Sequence, residues 1–321
     1  MKLHEDTDVF LSMVTSVSQH LGLPEVYIEK DYWVTRSLKN LAYSDIADQV
    51  VFKGGTSLSK AHKIIHRFSE DIDLAVKAGG LGDSRRKKLL KVGETVASVG
   101  LEPIVDDARN SKGSKFLKSV YQYPRIGVLG NYGQASPELL IELNTFTQPE
   151  PSEEKTIQSM IADLLAEQGM QDLIEKYELA SFKLNVLSLR RTLIEKLLGI
   201  IKDSYLANPL PRLNERIRHI FDIWAILTQN AVRDFVASKA FQELINVCIE
   251  DEINSWGDER SRCFKQPLHQ APLFQKFKAW WPGLERTYNG VFADLVYGDL
   301  PKVEEILEEL GFLHSALKKI E

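Results

Sequence analysis

Apolar positions recur along this chain with two different periods, and the change from one to the other divides it. Between Asp8 and Leu21, and again between Ile28 and Leu41, apolar residues fall three and four apart, which predicts two helices parted by Gly22-Leu23-Pro24. From about Gln49 to Phe146 short apolar runs alternate with helical stretches: strand 49–53, helix 57–66, strand 71–76, helix 84–98, and candidate strands 101–106, 115–122 and 139–146. A turn-rich segment from Gly127 to Ser136, with Gly130-Asn131-Tyr132-Gly133, separates the last two strands. The alternation predicts an α+β fold, a mixed sheet carrying helices and preceded by the two N-terminal helices.

After Pro149-Glu150-Pro151 the pattern turns helical, over 153–168, 170–177, 190–206, 213–229, 233–251, 272–281 and 301–319, with Phe182-Lys183-Leu184-Asn185-Val186 as a short extra strand. The expected organisation is a first domain of residues 1–150 and a predominantly helical C-terminal domain of residues 151–321.

Composition narrows the function classes. A chain of 321 residues with 44% hydrophobic content can bury a substantial core. Forty basic against forty-five acidic residues exclude a whole-molecule polyanion binder, so any RNA site is a local patch. Candidate patches are Lys60, Lys63, His66 and Arg67, then Arg85 to Lys88, then Lys112, Lys115 and Lys118, and Arg212, Arg216 and Arg218. Cys248 and Cys263 lack metal-site spacing and are expected as free thiols in a reducing compartment. The acidic start, Met1 to Asp8, does not resemble a secretory signal, and no apolar run reaches membrane-spanning length; a cytoplasmic protein with no membrane partner is expected.

The chemistry concentrates in two runs, Val51-Phe52-Lys53-Gly54-Gly55-Thr56-Ser57 and Ser69-Glu70-Asp71-Ile72-Asp73-Leu74. Gly54 and Gly55 let the backbone take positive φ and approach a ligand, and Thr56 or Ser57 is placed to cap a helix from Leu58 to His66, whose first amides can receive a phosphate. On a strand Asp71 and Asp73 project together while Ile72 and Leu74 face the core. Paired carboxylates of this kind suit a hard cation, Mg²⁺ or Mn²⁺, which borrows its remaining ligands from substrate phosphates; the expected substrate is a nucleoside triphosphate. Glu142, polar between Ile141 and Leu143, offers a third acid for a metal or for the proton of an attacking hydroxyl, and Asn144 shares its face. Each piece alone has a plain structural reading; their order and spacing favour catalysis.

These runs resemble the nucleotidyltransferases of the DNA polymerase β superfamily, whose signature is a strand, Gly-Gly or Gly-Ser, a helix, an Asp-apolar-Asp strand and a later acid. Phe52 to Leu58 and His66 to Leu74 resemble more narrowly the AbiEii/AbiGii toxin family, which includes the MenT toxins; Ile28-Glu29-Lys30-Asp31-Tyr32-Trp33, Arg191 to Leu197 and Arg218 to Ile223 fit the same family. The resemblance implies a polymerase-β-like core, triphosphate binding by Gly54, Gly55, Thr56, Ser57, Arg67 and Ser69, and metal binding by Asp71, Asp73 and Glu142. It also implies the toxin half of a toxin–antitoxin or phage-defence pair, with RNA, and tRNA 3′ ends in particular, as acceptor, inhibition of translation, and a cognate antitoxin as partner.

Two helices in the second half have a plain reading as solvated amphipathic faces, with Thr192, Glu195, Lys196, Gly199 and Lys202 on one stripe and Glu215, Arg218, His219 and Asp222 on the other, Arg218 and Asp222 forming an ordinary ion pair. The resemblance instead implies that Lys196 and Asp222 belong to the active site. It further implies that modification of Ser69 can silence the enzyme, since an added phosphate beside Asp71 would repel triphosphate. Two other functions fit the same residues: an antibiotic nucleotidyltransferase, and a nucleotide- or partner-binding module without chemistry.

Overall fold

The computed structural model describes residues 1–128, 130–132 and 135–320. Leu129, Gly133 and Gln134, within the predicted turn, and Glu321 lie outside the described residues. The chain divides into two compact units, Met1–Lys63 with Arg67–Leu187, and Ile64–His66 with Ser188–Glu321.

The first unit opens with α1 (Thr7–Leu21) and α2 (Glu25–Ala42). Phe10, Val14 and Val17 give α1 one buried face, and the helix closes on Gly22, at φ +68°, whose N–H bonds to the Ser18 carbonyl. In α2 every residue from Val26 to Thr35 is buried, the charged Glu29, Lys30 and Asp31 included. The sheet comes next: β1 (Val50–Lys53), α3 (Gly54–Lys60), β2 (Ile72–Val76), α4 (Asp83–Ala97), β3 (Glu102–Pro103), β4 (Ser111–Lys112), β5 (Phe116–Gln122) and β6 (Leu139–Asn144). It ends with β7 (Ser152–Ile157), α5 (Met160–Glu167), α6 (Gln171–Lys176) and β8 (Phe182–Leu187).

Among the described residues the strand order is β3-β5-β6-β2-β1-β8-β7, with β4 beside β5. The sheet is mixed, as expected: β6 and β8 run parallel to β2 and β1, and the other pairs are antiparallel. Val50, Val51 and Phe52 of β1 are buried without alternation, the pattern of a strand covered on both faces. In β6, Leu139, Ile141 and Leu143 are buried and Glu142 is half-buried. The buried side lies under α4: a Cβ on Gly93 would come within 2.5 Å of Leu143, and Glu94 accepts hydrogen bonds from Ser119 and Tyr121 of β5 at 2.5 and 2.9 Å.

Two expectations change here. Residues 153–157 are strand rather than helix, because β7 pairs along its whole length with β8, and the predicted helix shortens to α5, capped by Ser159, whose hydroxyl accepts from the Ala162 N–H. Since β8 in turn lies beside β1, residues 151–187 extend the first unit, and the division falls after Leu187 rather than after Glu150.

The second unit comprises α7 (Leu189–Ser204), α8 (Leu210–Glu215), α9 (Ile217–Leu227), α10 (Asn230–Val236), α11 (Lys239–Arg260), α12 (Pro272–Thr287) and α13 (Val303–Ile320). Ser188 caps α7 by accepting from the Arg191 N–H, and α7 buries Leu193, Ile194, Leu197, Leu198, Ile200 and Ile201. The predicted helix 213–229 is broken at Arg216, which ends α8 and begins α9. His66 joins this unit through its carbonyl, which accepts the N–H groups of Tyr297 and Gly298 at 2.9 and 3.1 Å. Gly298 is required there, since a Cβ would stand 2.5 Å from that of His66. Both cysteines are free and buried, and no described helix is long and apolar enough to cross a membrane.

Candidate active site

The register of β2 assembles the site. Asp73 lies opposite Lys53 of β1 on one side and opposite Glu142 of β6 on the other, and Lys118 of β5 lies opposite Glu142. Residues directly opposed across a sheet share a face, so Lys53, Asp73, Glu142 and Lys118 form one rung of charges ordered plus, minus, minus, plus. Carboxylates on neighbouring strands repel, and a lysine at each end of the rung offsets that repulsion. Lys118 Nζ stands 3.6 Å from Glu142 Oε2, and both side chains are 34% exposed. Ile72 and Leu74 are fully buried on the other face. Asp71 is half-buried one position before β2, where the strand's alternation no longer fixes its direction.

Oxygen donors on adjacent strands, flanked by cations, suit a hard divalent ion, and Asp71, Asp73 and Glu142 are the residues that would hold one. Among the described residues no three His, Cys, Asp or Glu side chains converge as a ready-made metal cluster.

β1 leads straight into α3, and the glycines at the junction are explained by what lies on them. Gly54 has φ +77°, and a Cβ there would stand 2.1 Å from Asp73 Oδ2. A Cβ on Gly55 would stand 2.5 Å from Arg67 Nη2 and 2.9 Å from Ser69 Oγ. Because Gly54 absorbs the change of direction, α3 starts at once and ends at Lys60; the expected cap by Thr56 or Ser57 and the helix to His66 are not found. Thr56 and Ser57 are instead buried inside the helix, Ser57 donating to the Gly54 carbonyl at 2.9 Å and Thr56 sharing a 3.0 Å hydrogen bond with Ser69. Arg67 is only 2% exposed and donates to the Phe68 carbonyl at 3.2 Å, so its guanidinium braces the glycine turn. Gly54, Gly55 and Ser69 remain partly exposed beside Asp73.

A layer of buried charge supports this constellation. Lys30 has no exposed surface, and its ammonium donates at 2.6 Å to Glu70 Oε2, to the Ser136 carbonyl and to the Glu138 carbonyl. Glu70 also accepts the Ser136 N–H at 3.0 and 3.1 Å. Desolvation pushes the Lys30 ammonium below its usual range and the Glu70 carboxyl above it, and the opposite charge of each opposes that push. Since Glu70 adjoins Asp71 and Glu138 adjoins β6, this one lysine ties together the starts of both acid-bearing strands. Beside it Asp31 pairs with Lys60, the last residue of α3, and accepts the Met160 N–H at 2.8 Å. These supporting roles were not read from the sequence; the signal available was three consecutive charged residues, Glu29-Lys30-Asp31, set between apolar neighbours.

In the second unit Lys196 of α7 and Asp222 of α9 meet as a buried ion pair, Nζ to Oδ2 2.8 Å, with Asp222 fully enclosed. Asp222 therefore pairs with Lys196 where an ion pair with Arg218 was the plain expectation, and the expected stripe on α7 is not a solvated face, since Thr192 and Lys196 are buried. Arg191, also buried, bonds Glu195 at 3.1 Å and Asp251 at 2.5 Å.

A family model described as nucleotidyl transferase AbiEii toxin, type IV TA system, matches residues 36–309. Among solved structures, a similar chain is MenT4, nucleotidyltransferase toxin Rv2826c from Mycobacterium tuberculosis H37Rv, 17% identical, with 94% of this chain and 98% of that chain covered and a TM-score of 0.43, a likeness too weak to bear on function. No curated protein matches the chain.

Proposed function

Because the chain belongs to the AbiEii nucleotidyltransferase toxin family, with the nucleotide substrates and antitoxin partner that a type IV toxin–antitoxin system entails, we propose that it transfers nucleotides from a nucleoside triphosphate to RNA, at the 3′ end of tRNA, and so inhibits translation in the cytoplasm. The observation that supports this most is the rung on which Asp73 and Glu142 stand side by side, with Asp73 against Gly54.

In the reaction a terminal RNA hydroxyl attacks the α-phosphorus, the bond to the β-phosphate oxygen breaks, and pyrophosphate leaves. Asp71, Asp73 and Glu142 would hold a Mg²⁺ or Mn²⁺ ion, which would supply charge neutralisation at the phosphates. Glu142, partly exposed on the rung, accepts the hydroxyl proton. The partly exposed turn at Gly54, Gly55 and Ser69 receives the triphosphate beside Asp73, with Thr56, Ser57 and Arg67 holding that turn in shape from within. Lys196 and Asp222 enter the active site on the resemblance, their ion pair fixing the direction of the ammonium. Lys112 and Lys115 offer RNA phosphates a local basic patch.

The test incubates purified full-length protein with total RNA and each of the four α-labelled triphosphates, before gel separation. The wild type labels RNA of tRNA size, and Asp73→Asn lowers the rate by about 10²-fold or more. Labelling by Asp73→Asn at the wild-type rate refutes the site, and no labelled RNA with any triphosphate refutes the acceptor.

A further inference from the structure

We propose that Lys118 is the resident counter-ion of Glu142, that a divalent cation displaces it on binding, and that the freed ammonium then takes a phosphate oxygen of the triphosphate. The proposal rests on the site reading given above and adds an order of binding to it.

Three observations carry it. Lys118 is not merely near the acids: it occupies the same rung, directly opposite Glu142, at the end remote from Lys53. Its contact with Glu142 is 3.6 Å, longer than the 2.7–2.9 Å typical of a charge-assisted hydrogen bond, and both side chains are partly exposed. Such a pair is weak and exchanges readily. On its outer side Lys118 faces Ser111 of β4, a small exposed residue that leaves the long side chain room to swing.

The charge count of the rung gives the displacement a consequence. Lys53 and Lys118 cancel Asp73 and Glu142, and with Asp71 beside them the undisturbed site carries one net negative charge and repels a polyanion. Addition of a divalent cation gives these side chains, Asp71 included, a net charge of one plus, and Lys118, no longer held by Glu142, becomes available to the incoming phosphates. Cation binding thus turns the site from repulsive to attractive for triphosphate, and Lys118 is the group that changes partner.

The experiment titrates full-length wild type, Lys118→Met and Lys118→Arg with Mn²⁺, reading free ion by electron paramagnetic resonance, and then with an α,β-methylene triphosphate analogue at saturating Mn²⁺ by calorimetry. Lys183→Met, which breaks another lysine–glutamate contact on the same sheet, with Glu154, controls for loss of one positive charge. Lys118→Met is expected to bind Mn²⁺ about three- to fivefold tighter, because the competing cation is gone. It should bind the analogue at least about fivefold more weakly, having lost a charged phosphate partner. Lys118→Arg keeps analogue affinity within about twofold, and Lys183→Met matches wild type in both titrations. Unchanged or weaker Mn²⁺ binding by Lys118→Met overturns the proposal while leaving the site reading in place. If the wild type itself binds no Mn²⁺, the assignment of Asp71, Asp73 and Glu142 as cation ligands falls, and this proposal with it.

Discussion

Replacing Lys30 by methionine removes an ammonium whose three hydrogens are all committed, to Glu70, Ser136 and Glu138, while keeping most of the volume of its stem. Glu70 is then left as a buried carboxylate without a cation, and breaking a buried pair from one side costs about 3–5 kcal/mol. The two orphaned carbonyls add to this at about 1–3 kcal/mol for each group left unsatisfied, less whatever a small shift toward water recovers. Lys30→Met should therefore cost about 5 kcal/mol, a large share of the stability of an ordinary domain. Lys30→Met/Glu70→Met removes both charges and should be less destabilised than Lys30→Met alone, with a coupling of at least about 2 kcal/mol. It will not return to wild type, since the Ser136 N–H and both carbonyls stay unmatched. With two compact units a global probe mixes transitions, so the assay is urea-dependent hydrogen exchange read by mass spectrometry on peptides covering 69–76 and 135–144. A cost under about 1 kcal/mol for Lys30→Met, or simple additivity in the double variant, refutes the view that Lys30 clamps the starts of β2 and β6.

Gly54→Ala pays about 1–2 kcal/mol for a left-handed residue with a side chain and pushes Asp73 aside, so nucleotidyl transfer should fall about 10²-fold or more. Gly80→Ala, at φ +74° with open space around it, carries the backbone cost without the loss of rate; equal rates for the two variants contradict the account of Gly54. Asp222→Asn strands the Lys196 ammonium inside the helical unit and should cost about 3–5 kcal/mol. Lys196→Met/Asp222→Leu should recover most of that in thermal unfolding while staying inactive, and an active double variant removes Lys196 and Asp222 from the site. Burial, and next the charge of Arg36, push the His4 imidazole down to about 4 beside Tyr32 and Trp33. Folded His4 is thus neutral where the unfolded residue, at about 6.5, begins to take a proton. Its contribution to stability is present above about pH 6.5 and is lost as pH falls toward 4; a His4 nuclear magnetic resonance titration with its midpoint near 6.5 contradicts this.

Legibility in the sequence has a physical basis. β1, β2 and β6 were legible because burial on one or both faces imposes apolar periodicity, and the glycine pair because a strand meets a helix there. The neighbourhood of Asp73 and Glu142 was expected only as a requirement of the chemistry: their strands are parallel and sixty-odd positions apart, and nothing local encodes a parallel register. β7 was missed because Ser152-Glu153-Glu154-Lys155-Thr156-Ile157 lies at the sheet edge, where charged residues are tolerated on exposed faces and the same residues are good helix formers. The burial of Glu29, Lys30, Asp31 and Asp222 was hidden for a related reason. A charged residue on a helix reads as surface unless its partner is known, and these partners are distant in the chain.

The acids of this protein separate into two kinds by how they are neutralised. Glu70 and Asp222 are met by buried ammonium groups at 2.6 and 2.8 Å, and Glu94 by two hydroxyls besides Lys91, so that none can change partner without leaving a buried group unsatisfied. Glu142 has the same chemistry in the opposite circumstance, with a longer contact, a partly exposed cation and a small neighbour behind it. An acid closed on all sides stabilises one geometry; an acid held loosely by a lysine can exchange that lysine for a metal ion at little cost. The contrast is sharpest around Asp71 and Asp73, where the rigid pair at Glu70 fixes the start of β2 and the loose pair at Glu142 leaves the face of the sheet open to exchange. On the proposed order of binding, a site that admits a cation and then a polyanion needs both, because the frame has to stay fixed while its occupants change.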